Sequence, residues 1–221
     1  MSKLIFFDIN GTIIERDSRT DLPYFDAANE LLYVDNAMKN INNAARSDMD
    51  VFREILLNHN IEYNEALWNE FLTIYEKKLE EYSKTDIWRP NKNIISFLKK
   101  LEKTDHKLAL ITGELKIGSK YKLEKIGVWK YFETGGFGED NISRYGIAEA
   151  ALKKATSIYG NDFDEIYVIG DTILDITTAR HINAKIISIT TGANTKKELE
   201  KYNPDLIINN FNKIKRLFLK N

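Results

Sequence analysis

The chain contains no cysteine among its 221 residues. Disulfides, thiolate nucleophiles and zinc–thiolate sites are therefore excluded. No apolar run approaches the roughly 20 residues that cross a bilayer, so we expect no membrane-spanning segment. Met1 leads directly into a predicted strand, without the apolar core and cleavage pattern of a signal peptide. We therefore expect a cytoplasmic protein.

Clustered positive charge is also absent. Lysine and arginine together number 32 and aspartate and glutamate 33, which gives a formal net charge of −1. Because nucleic-acid binding normally needs an excess of basic side chains, we expect no nucleic-acid partner. A chain of 221 residues with 43% hydrophobic side chains can form a core domain with an insertion. The sequence leaves the oligomeric state open, with a monomer favoured.

Short apolar runs that alternate with amphipathic segments predict an α/β protein. The runs typical of buried strands cover residues 3–8, 108–111, 131–134, 166–169, 185–189 and 206–208. Helical patterns cover residues 92–101, 116–126, 145–159, 173–181, 195–201 and 211–219. Asn91 follows a proline and is predicted to cap the first of these helices. Such alternation predicts a Rossmann-like parallel sheet with helices on both faces.

One helical block interrupts this alternation. Between residues 23 and 81 the apolar spacing is helical, and no segment is typical of a strand. We therefore predict an α-helical domain, residues 16–88, inserted into a core domain formed by residues 1–15 and 89–221. The interior of this insertion is predicted to contain three aromatic side chains, Trp68, Phe71 and Tyr75.

Three aspartates lie where predicted strands end. Asp8 ends the first strand, and Asp171 follows the strand at residues 166–169, with Asp175 about one helical turn later. The carboxyl ends of parallel strands converge on one crevice, where open α/β sheets bind ligands. Three carboxylates in one crevice repel each other unless a cation joins them, and an oxygen-only ligand set favours Mg²⁺. The pattern therefore predicts a site that handles phosphate with Mg²⁺.

Each aspartate has a simpler interpretation when it is considered alone. Asp8 would suit a turn after the first strand, and Asp171 would suit the cap of the next helix. Thr172 and Asp175 would likewise suit a helix start. The joint placement of these aspartates at strand ends, with Thr112 after another strand, favours the site over these local roles.

Four segments, in this order, resemble the motifs of one known family. They are Asp8-Ile9-Asn10-Gly11-Thr12, Leu110-Ile111-Thr112-Gly113, Arg144 after Gly136-Phe137-Gly138-Glu139-Asp140-Asn141-Ile142-Ser143, and Gly170-Asp171 with Asp175. The chain is similar along essentially its whole length to the haloacid dehalogenase superfamily, in the phosphatase-like branch that carries an α-helical C1-type cap. This resemblance implies a Rossmannoid core of that family and an enzyme that hydrolyses phosphoric monoesters.

The resemblance implies a role for each motif residue. Asp8 would attack phosphorus and form an aspartyl-phosphate. Mg²⁺ would be held by Asp8, the backbone carbonyl of Asn10 and Asp171, with Asp175 bound directly or through water. The substrate would be a small phosphorylated metabolite.

Other residues are expected to contact the phosphate. The Thr112 hydroxyl, the Gly113 N–H and the Arg144 guanidinium would donate to phosphoryl oxygens. Lys153 or Lys154 could supply the positive charge instead, with Arg144 favoured.

The implied helical cap offers one further substrate contact. Arg46, in Arg46-Ser47-Asp48, resembles a cap turn that faces the active site, so Arg46 would contact the far end of the substrate. In the alternative interpretation Asp48 is the N-cap of a helix and Arg46 lies in solvent. Arg19 and Asp21 suit a hinge or a solvated loop better than a substrate contact.

Asn10 is the main departure from the family pattern, which has a second aspartate at this place. That aspartate protonates the leaving oxygen and then activates water, and an amide does neither. General acid–base assistance is worth roughly 10²- to 10⁴-fold, so we expect a slowed phosphatase that favours good leaving groups. Glu114 is a smaller departure. Its carboxylate would point away from the phosphate or meet a substrate amine or hydroxyl, and the first is favoured.

Two other functions remain compatible with the sequence. A catalytically weak or inactive relative would keep the phosphate-binding residues, lack the acid at position 10 and bind a phosphorylated metabolite. A haloacid dehalogenase would use Asp8 as a nucleophile on carbon. That reaction has no need of Mg²⁺, so Asp171 and Asp175 count against it.

Overall fold

Residues 2–219 are described by a computed structural model of the chain. The strands are β1 (Lys3–Phe7), β2 (Lys107–Ile111), β3 (Thr134–Gly136), β4 (Glu165–Gly170), β5 (Lys185–Ile189) and β6 (Leu206–Ile208). They pair in parallel to form a six-stranded sheet with the order β3-β2-β1-β4-β5-β6. The predicted Rossmann-like α/β fold is therefore confirmed.

The helices begin and end close to the predicted positions. They are α1 (Leu22–Leu32), α2 (Asp48–Asn58), α3 (Glu65–Ser83), α4 (Ile94–Leu101), α5 (Lys116–Lys125), α6 (Arg144–Tyr159), α7 (Ile173–His181), α8 (Lys196–Glu200) and α9 (Lys215–Phe218). Short 3₁₀ helices occupy Trp129–Tyr131 and Phe211–Ile214. Within residues 2–219, no helix is both long and apolar enough to cross a membrane.

Alternate residues of β1 pack on opposite faces of the sheet. Leu4 and Phe6 join an apolar cluster that includes side chains of α6 and α7. Ile5 and Phe7 join the larger cluster on the other face. All four side chains are fully buried. A strand that is buried on both faces needs a continuous apolar run, and this run brings Asp8 to the centre of the sheet edge.

The prediction of a strand at residues 131–134 is wrong in its position. Trp129–Tyr131 is a 3₁₀ helix, and the strand covers Thr134–Gly136. A Cβ at Gly136 would lie 2.3 Å from the carbonyl oxygen of Ile147, so glycine lets this strand pass beneath α6. Because glycine is generally disfavoured in strands, the sequence pattern favoured the residues before it.

The helices α1, α2 and α3 lie between β1 and α4, and residues 16–88 contain no strand. Their shared interior combines aliphatic side chains with an aromatic group formed by Tyr24, Phe52, Trp68, Phe71 and Tyr75. The rings of Phe52 and Phe71 are 4.6 Å apart between centroids. Trp88 is buried where this helical insertion meets the sheet, and its Nε1–H donates to the carbonyl of Thr20 at 3.1 Å. The predicted aromatic interior is therefore present.

The two connections between the insertion and the sheet run side by side. The N–H of Asn91 donates to the carbonyl of Ile13 at 2.8 Å, and its side-chain amide donates to the carbonyl of Thr12 at 3.0 Å. The helix α4 begins only at Ile94. The prediction that Asn91 caps this helix is therefore wrong, because its amide joins the two connections instead. These contacts lie near the predicted domain boundaries, which themselves stay a prediction.

Candidate active site

The three aspartates lie at adjacent strand ends. The strands β1 and β4 are neighbours where the strand order reverses, and Asp8 and Asp171 follow them directly. The N–H of Asp8 donates to the carbonyl of Ile169 at 2.9 Å, so strand pairing extends to the first aspartate. One carboxylate oxygen from each of Asp8, Asp171 and Asp175 lies within 4.8 Å of the others. The carboxylates therefore share the crevice in which such sheets bind ligands.

The three carboxylates are buried and close together, so their negative charge is poorly compensated. Asp171 and Asp175 are 1% exposed and Asp8 is 8% exposed. Burial raises the pKa of Asp8 well above its usual value, and Asp175 raises it further, against the opposing effect of Arg144. Burial, followed by the Asp175 carboxylate, raises the pKa of Asp171 to about 7. Crowded carboxylates of this kind gain from a bound cation, and their all-oxygen donor set fits Mg²⁺.

Hydrogen bonds orient the two later carboxylates. Asp171 accepts from the Thr12 hydroxyl at 3.1 Å and from the Ala193 N–H at 2.6 Å. Asp175 accepts from the N–H of Thr172 at 3.0 Å and from its hydroxyl at 2.7 Å. Thr172 is the N-cap of α7, so Asp171 does not cap this helix. Asp175 therefore forms part of the capping box at the start of α7 and also lies beside the other two carboxylates.

Arg144 supplies positive charge to the aspartates. Its Nη2 atom lies 2.6 Å from Oδ1 of Asp175 and 3.4 Å from Oδ1 of Asp8, and its side chain is 6% exposed. Lys154 is instead paired with a different aspartate, and Lys153 is exposed. Of the three candidate cations, Arg144 is the one that contacts the site. We call the following residues the phosphoryl cluster: Asp8, Asp171, Asp175 and Arg144.

Thr112 and Gly113 follow β2 and lie beside the phosphoryl cluster. Thr112 is buried, and its hydroxyl accepts from the Glu114 N–H at 3.2 Å. The carbonyl of Gly113 accepts from the Asp48 N–H at 2.8 Å, and a Cβ at Gly113 would lie 2.1 Å from the carbonyl oxygen of Arg46. The close approach of the helical insertion to this strand end therefore requires glycine.

A cavity of about 280 Å³ opens onto the phosphoryl cluster. Its walls come from both the strand-end loops and the helical insertion. All of the predicted site residues line it, namely Asp8, Asn10, Arg46, Thr112, Gly113, Arg144, Asp171 and Asp175. His59, His106 and His181 are not among the lining residues.

Arg46 lines the cavity but is already paired. Its Nε–H donates to Asp50 at 2.7 Å, and its Nη1 is paired with Glu54. A contact between Arg46 and the substrate stays a prediction. The alternative in which Asp48 is the N-cap is wrong, because Ser47 occupies that position in α2. The Asp48 carboxylate instead accepts from a backbone N–H at the start of α5, at 2.8 Å.

One charged residue at the site was missed by sequence reasoning. Lys122, on α5, is 1% exposed, and its Nζ donates to Asn10 Oδ1 at 3.4 Å, to Asp21 Oδ1 at 3.1 Å and to the Glu114 carboxylate. Burial lowers the pKa of Lys122, but Glu114 and Asp21 raise it more, so the net shift is upward. The available signal was Gly118, one turn earlier on the same helix face, which marks that face as closely packed.

Glu114 is held by Lys122 within the cavity wall. It is 5% exposed, and its second carboxylate oxygen accepts from the Ser119 hydroxyl at 3.4 Å. The structure thus gives Glu114 an ion pair that neither sequence interpretation included. Arg19 pairs with Asp17 at the surface, so the solvated-loop interpretation describes Arg19 well.

The family model of haloacid dehalogenase-like hydrolases matches residues 5–180. The match covers well over half of the 221 residues, so the chain belongs to this family. It begins within β1 and ends within α7, and the whole phosphoryl cluster lies inside it. The predicted family is therefore confirmed.

Curated relatives align along almost the whole chain. A phosphoglycolate phosphatase of Agrobacterium fabrum is 27% identical, and the alignment covers 96% of this chain and 90% of that protein. A phosphoglycolate phosphatase of Mesorhizobium japonicum is 23% identical, with coverage of 94% and 91%. Together with the family, these relatives confirm the prediction of a phosphatase-type hydrolase.

Solved structures show the same fold. CbbY from Rhodobacter sphaeroides, in complex with phosphate, gives a TM-score of 0.71 at 15% identity, over 97% of this chain and 96% of that chain. A predicted phosphoglycolate phosphatase from Haemophilus somnus gives a TM-score of 0.69 at 20% identity, over 97% and 96%. At these identities the likeness concerns the fold alone.

Proposed function

We propose that the protein is a Mg²⁺-dependent phosphatase that hydrolyses small phosphomonoesters through an aspartyl-phosphate on Asp8. The proposal depends mainly on the approach of three carboxylates to within 4.8 Å of one another at the sheet edge. Arg144 beside them, the family and the phosphatase relatives support the same chemistry. The cavity of about 280 Å³ supports a small substrate.

In the proposed reaction a carboxylate oxygen of Asp8 attacks phosphorus. The bond from phosphorus to the ester oxygen breaks, and that oxygen leaves with the electron pair. Water then attacks the phosphorus of the aspartyl-phosphate, releases inorganic phosphate and restores Asp8. Arg144 and the Thr112 hydroxyl would donate to the phosphoryl oxygens throughout, with the Gly113 N–H beside them.

Asp8 must be ionised to act as the nucleophile. Burial opposes this by raising the pKa of Asp8, and Arg144 favours it by lowering that pKa. The side chains of Asp8 and Asp171 and the backbone carbonyl of Asn10 would hold Mg²⁺, with Asp175 bound directly or through water. When bound, Mg²⁺ supplies Lewis-acid charge that offsets the carboxylates and the phosphate dianion. A dehalogenase would have no need of this arrangement.

Asn10 determines which esters react fastest. Its amide cannot protonate the leaving oxygen, so the ester oxygen must leave as an anion. Good leaving groups such as phenolates tolerate this better than alkoxides do. We infer that aryl or acyl phosphates are hydrolysed faster than alkyl phosphates, by a margin on the order of the 10²- to 10⁴-fold value of acid–base assistance.

The helical insertion, residues 16–88, would act as the cap of this active site. Insertion residues that line the cavity include Thr20, Asp21, Phe25, Asn43 and Arg46. A cap in this position would exclude water from the phosphoryl cluster and give the leaving group its binding surface. Substrate selection would therefore depend on the insertion, whereas the chemistry would depend on the sheet edge.

Phosphate release from an aryl phosphate, measured with and without Mg²⁺, tests the proposed reaction. We expect release that requires Mg²⁺, stops on chelation and is lost in Asp8→Asn. Acid-quenched protein should carry the phosphoryl group on the peptide that contains Asp8. If phosphate raises the unfolding temperature but neither aryl nor alkyl phosphates are turned over, the protein is the inactive binder instead.

A series of aryl phosphates with different leaving-group pKa values tests the role of Asn10. The rate should rise steeply as the leaving group becomes more acidic, because position 10 carries no proton donor. A rate that is independent of the leaving-group pKa, with chemistry shown to be rate-limiting, would contradict this interpretation.

A further inference from the structure

A second cluster of polar side chains, in which Lys122 and Glu114 are buried and Asn10 and Asp21 are partly buried, lies between the phosphoryl cluster and the helical insertion. The Nζ atom of Lys122 has acceptors at 3.1 Å in Asp21 and at 3.4 Å in Asn10, and it is paired with Glu114. An ammonium group has three N–H donors, so this cluster provides one acceptor for each of them. We call the following residues the Lys122 cluster: Asn10, Asp21, Glu114 and Lys122.

The Lys122 cluster joins the insertion to the sheet. Asp21 stands immediately before α1 of the insertion, and its side chain makes no capping bond to that helix. Its second oxygen accepts from Asn43, also in the insertion, at 3.2 Å. Asn10 and Glu114 lie in strand-end loops, and Lys122 lies on α5. Partly buried polar contacts therefore help to fix the insertion against the loops that carry the proposed active site.

Position 10 needs a group that both accepts and donates. Asn10 accepts from Lys122 through Oδ1 and donates through Nδ2 to Asp21 Oδ1 at 3.3 Å. An ionised carboxylate can accept but cannot donate. Aspartate here would bring two carboxylates into direct contact and set three around one ammonium. The amide that departs from the family pattern is therefore matched to its neighbours in this chain.

We propose that Lys122 is a positioning residue that ties the Asn10 amide and the Asp21 carboxylate into one unit and so holds the insertion over the phosphoryl cluster. Its effect on substrate binding rests on the proposed phosphatase function. The unit itself is a property of the folded protein. Lys122 acts through the loop of Asn10, which carries Asp8 two residues earlier, and through Asp21 in the cavity wall.

An exchange of two side chains tests the unit without any measurement of turnover. Asn10→Asp should lower the urea midpoint by about 0.5 M, because like charges then meet in a partly buried site where solvent screens part of their repulsion. Asp21→Asn should lower it less, since Lys122 keeps its pair with Glu114. The double variant Asn10→Asp/Asp21→Asn restores the number of carboxylates around Lys122. However, Asp21 Oδ1 accepts from both Asn10 and Lys122, and one amide atom at position 21 cannot both donate to a carboxylate at position 10 and accept from Lys122. The midpoint should therefore recover only part of the loss, roughly half of it.

The KM for an aryl phosphate in Mg²⁺ separates positioning from general stability. Asn10→Asp should raise KM by about tenfold, and the double variant should recover part of this rise. Lys122→Met should raise KM and lower the urea midpoint. Lys122→Arg keeps the charge, so it should cause a smaller rise in KM and a smaller fall in the midpoint. Lys120→Met, on the same helix at a side chain that is 52% exposed, is the matched control and should change neither.

The outcomes separate this proposal from the proposed function. A protein that turns over no phosphate ester would overturn the phosphatase and leave the urea measurements fully informative. The positioning role is overturned if the double variant is no more stable than Asn10→Asp, or if Asn10→Asp matches the parent in midpoint and KM. If Asn10→Asp fails to fold, folding of the double variant supports the role, and failure of both overturns it.

Discussion

Two charge clusters share the loop that follows β1, the phosphoryl cluster through Asp8 and the Lys122 cluster through Asn10. They differ in how far their charges and hydrogen bonds are compensated within the protein. The phosphoryl cluster sets three carboxylates against the guanidinium of Arg144. The Lys122 cluster sets two carboxylates and an amide against one ammonium, and all three N–H donors of that ammonium have acceptors. The phosphoryl cluster has fewer positive than negative groups. In the Lys122 cluster, by contrast, every N–H donor of the ammonium has an acceptor without a ligand.

The difference indicates which of the two charge clusters is suited to binding a ligand and which is suited to holding parts of the protein together. In the phosphoryl cluster burial is the first cause that raises the pKa of Asp8 and of Asp171, and the nearest carboxylate adds to it. A cation and a phosphate dianion entering together would change this balance, so the deficit marks a place for ligands. A cluster whose donors and acceptors already match is better suited to fixing one part of a protein against another.

Removal of the proposed nucleophile should give the largest effect and should act oppositely on activity and stability. Asp8→Asn removes the attacking oxygen, so phosphate release should fall by at least about 10³-fold. The same change removes one of three crowded negative charges, so the Mg²⁺-free protein should be at least as stable as the parent. Phosphate release and urea unfolding without Mg²⁺ measure the two. A marked loss of stability would contradict the charge deficit assigned to the phosphoryl cluster.

Loss of Arg144 should lower the stability of the Mg²⁺-free protein, in contrast to loss of Asp8. Arg144→Met leaves Asp8 and Asp175 without their cation, so the free energy of unfolding without Mg²⁺ should fall by about 3–5 kcal/mol. Saturating Mg²⁺ should recover part of this loss. The control is Arg180→Met, whose side chain is 47% exposed, and it should change stability by no more than about 0.5 kcal/mol. Equal effects of the two substitutions in urea unfolding would show that the buried arginine is not needed.

The sequence predicted the three aspartates of the phosphoryl cluster because local patterns determine their positions, whereas Arg144 was predicted from the motif resemblance. Apolar runs buried on both faces identify central strands, and the residues that end such strands share one edge. The only local signal for Lys122 is Gly118, which indicates a closely packed helix face but not an ion pair. The burial of Lys122 depends on Asp21, which is 101 positions away along the chain. Lysine is also rarely buried, so sequence alone favours a surface position. The strand β3 was misplaced for a similar reason, since contact with α6 selects its glycines.

The pH dependence of Mg²⁺ binding should show the charge deficit directly. The pKa of Asp171 is raised to about 7 in the folded protein, whereas an unfolded aspartate has a pKa of about 3.9. The folded state therefore binds this proton more tightly. The contribution to stability is complete below about pH 4 and is lost as the pH rises to about 7. Because Mg²⁺ competes with the proton, stabilisation by Mg²⁺ should grow over the same interval.

Urea unfolding at pH 5 and pH 7.5, with and without Mg²⁺, measures this effect. Mg²⁺ at about 100 times its dissociation constant should add about 2.7 kcal/mol at the higher pH and clearly less at the lower. Asp171→Asn is the control and should remove most of the difference. Equal stabilisation at both pH values would mean that Mg²⁺ does not displace a proton from these carboxylates.

The smallest expected effect concerns Arg46, which lies in the cavity wall outside both clusters. If its proposed contact with the far end of the substrate occurs, the pairs with Asp50 and Glu54 must share the guanidinium and weaken the contact. Arg46→Gln should therefore raise KM for an anionic substrate such as phosphoglycolate by about threefold, in line with partly exposed ion pairs. KM for an aryl phosphate whose aryl group carries no charge should stay unchanged. Both KM values should also stay unchanged in Arg53→Gln, an exposed arginine on the same helix. A change that is equal for both substrates would assign Arg46 to the packing of α2 and remove it from substrate recognition.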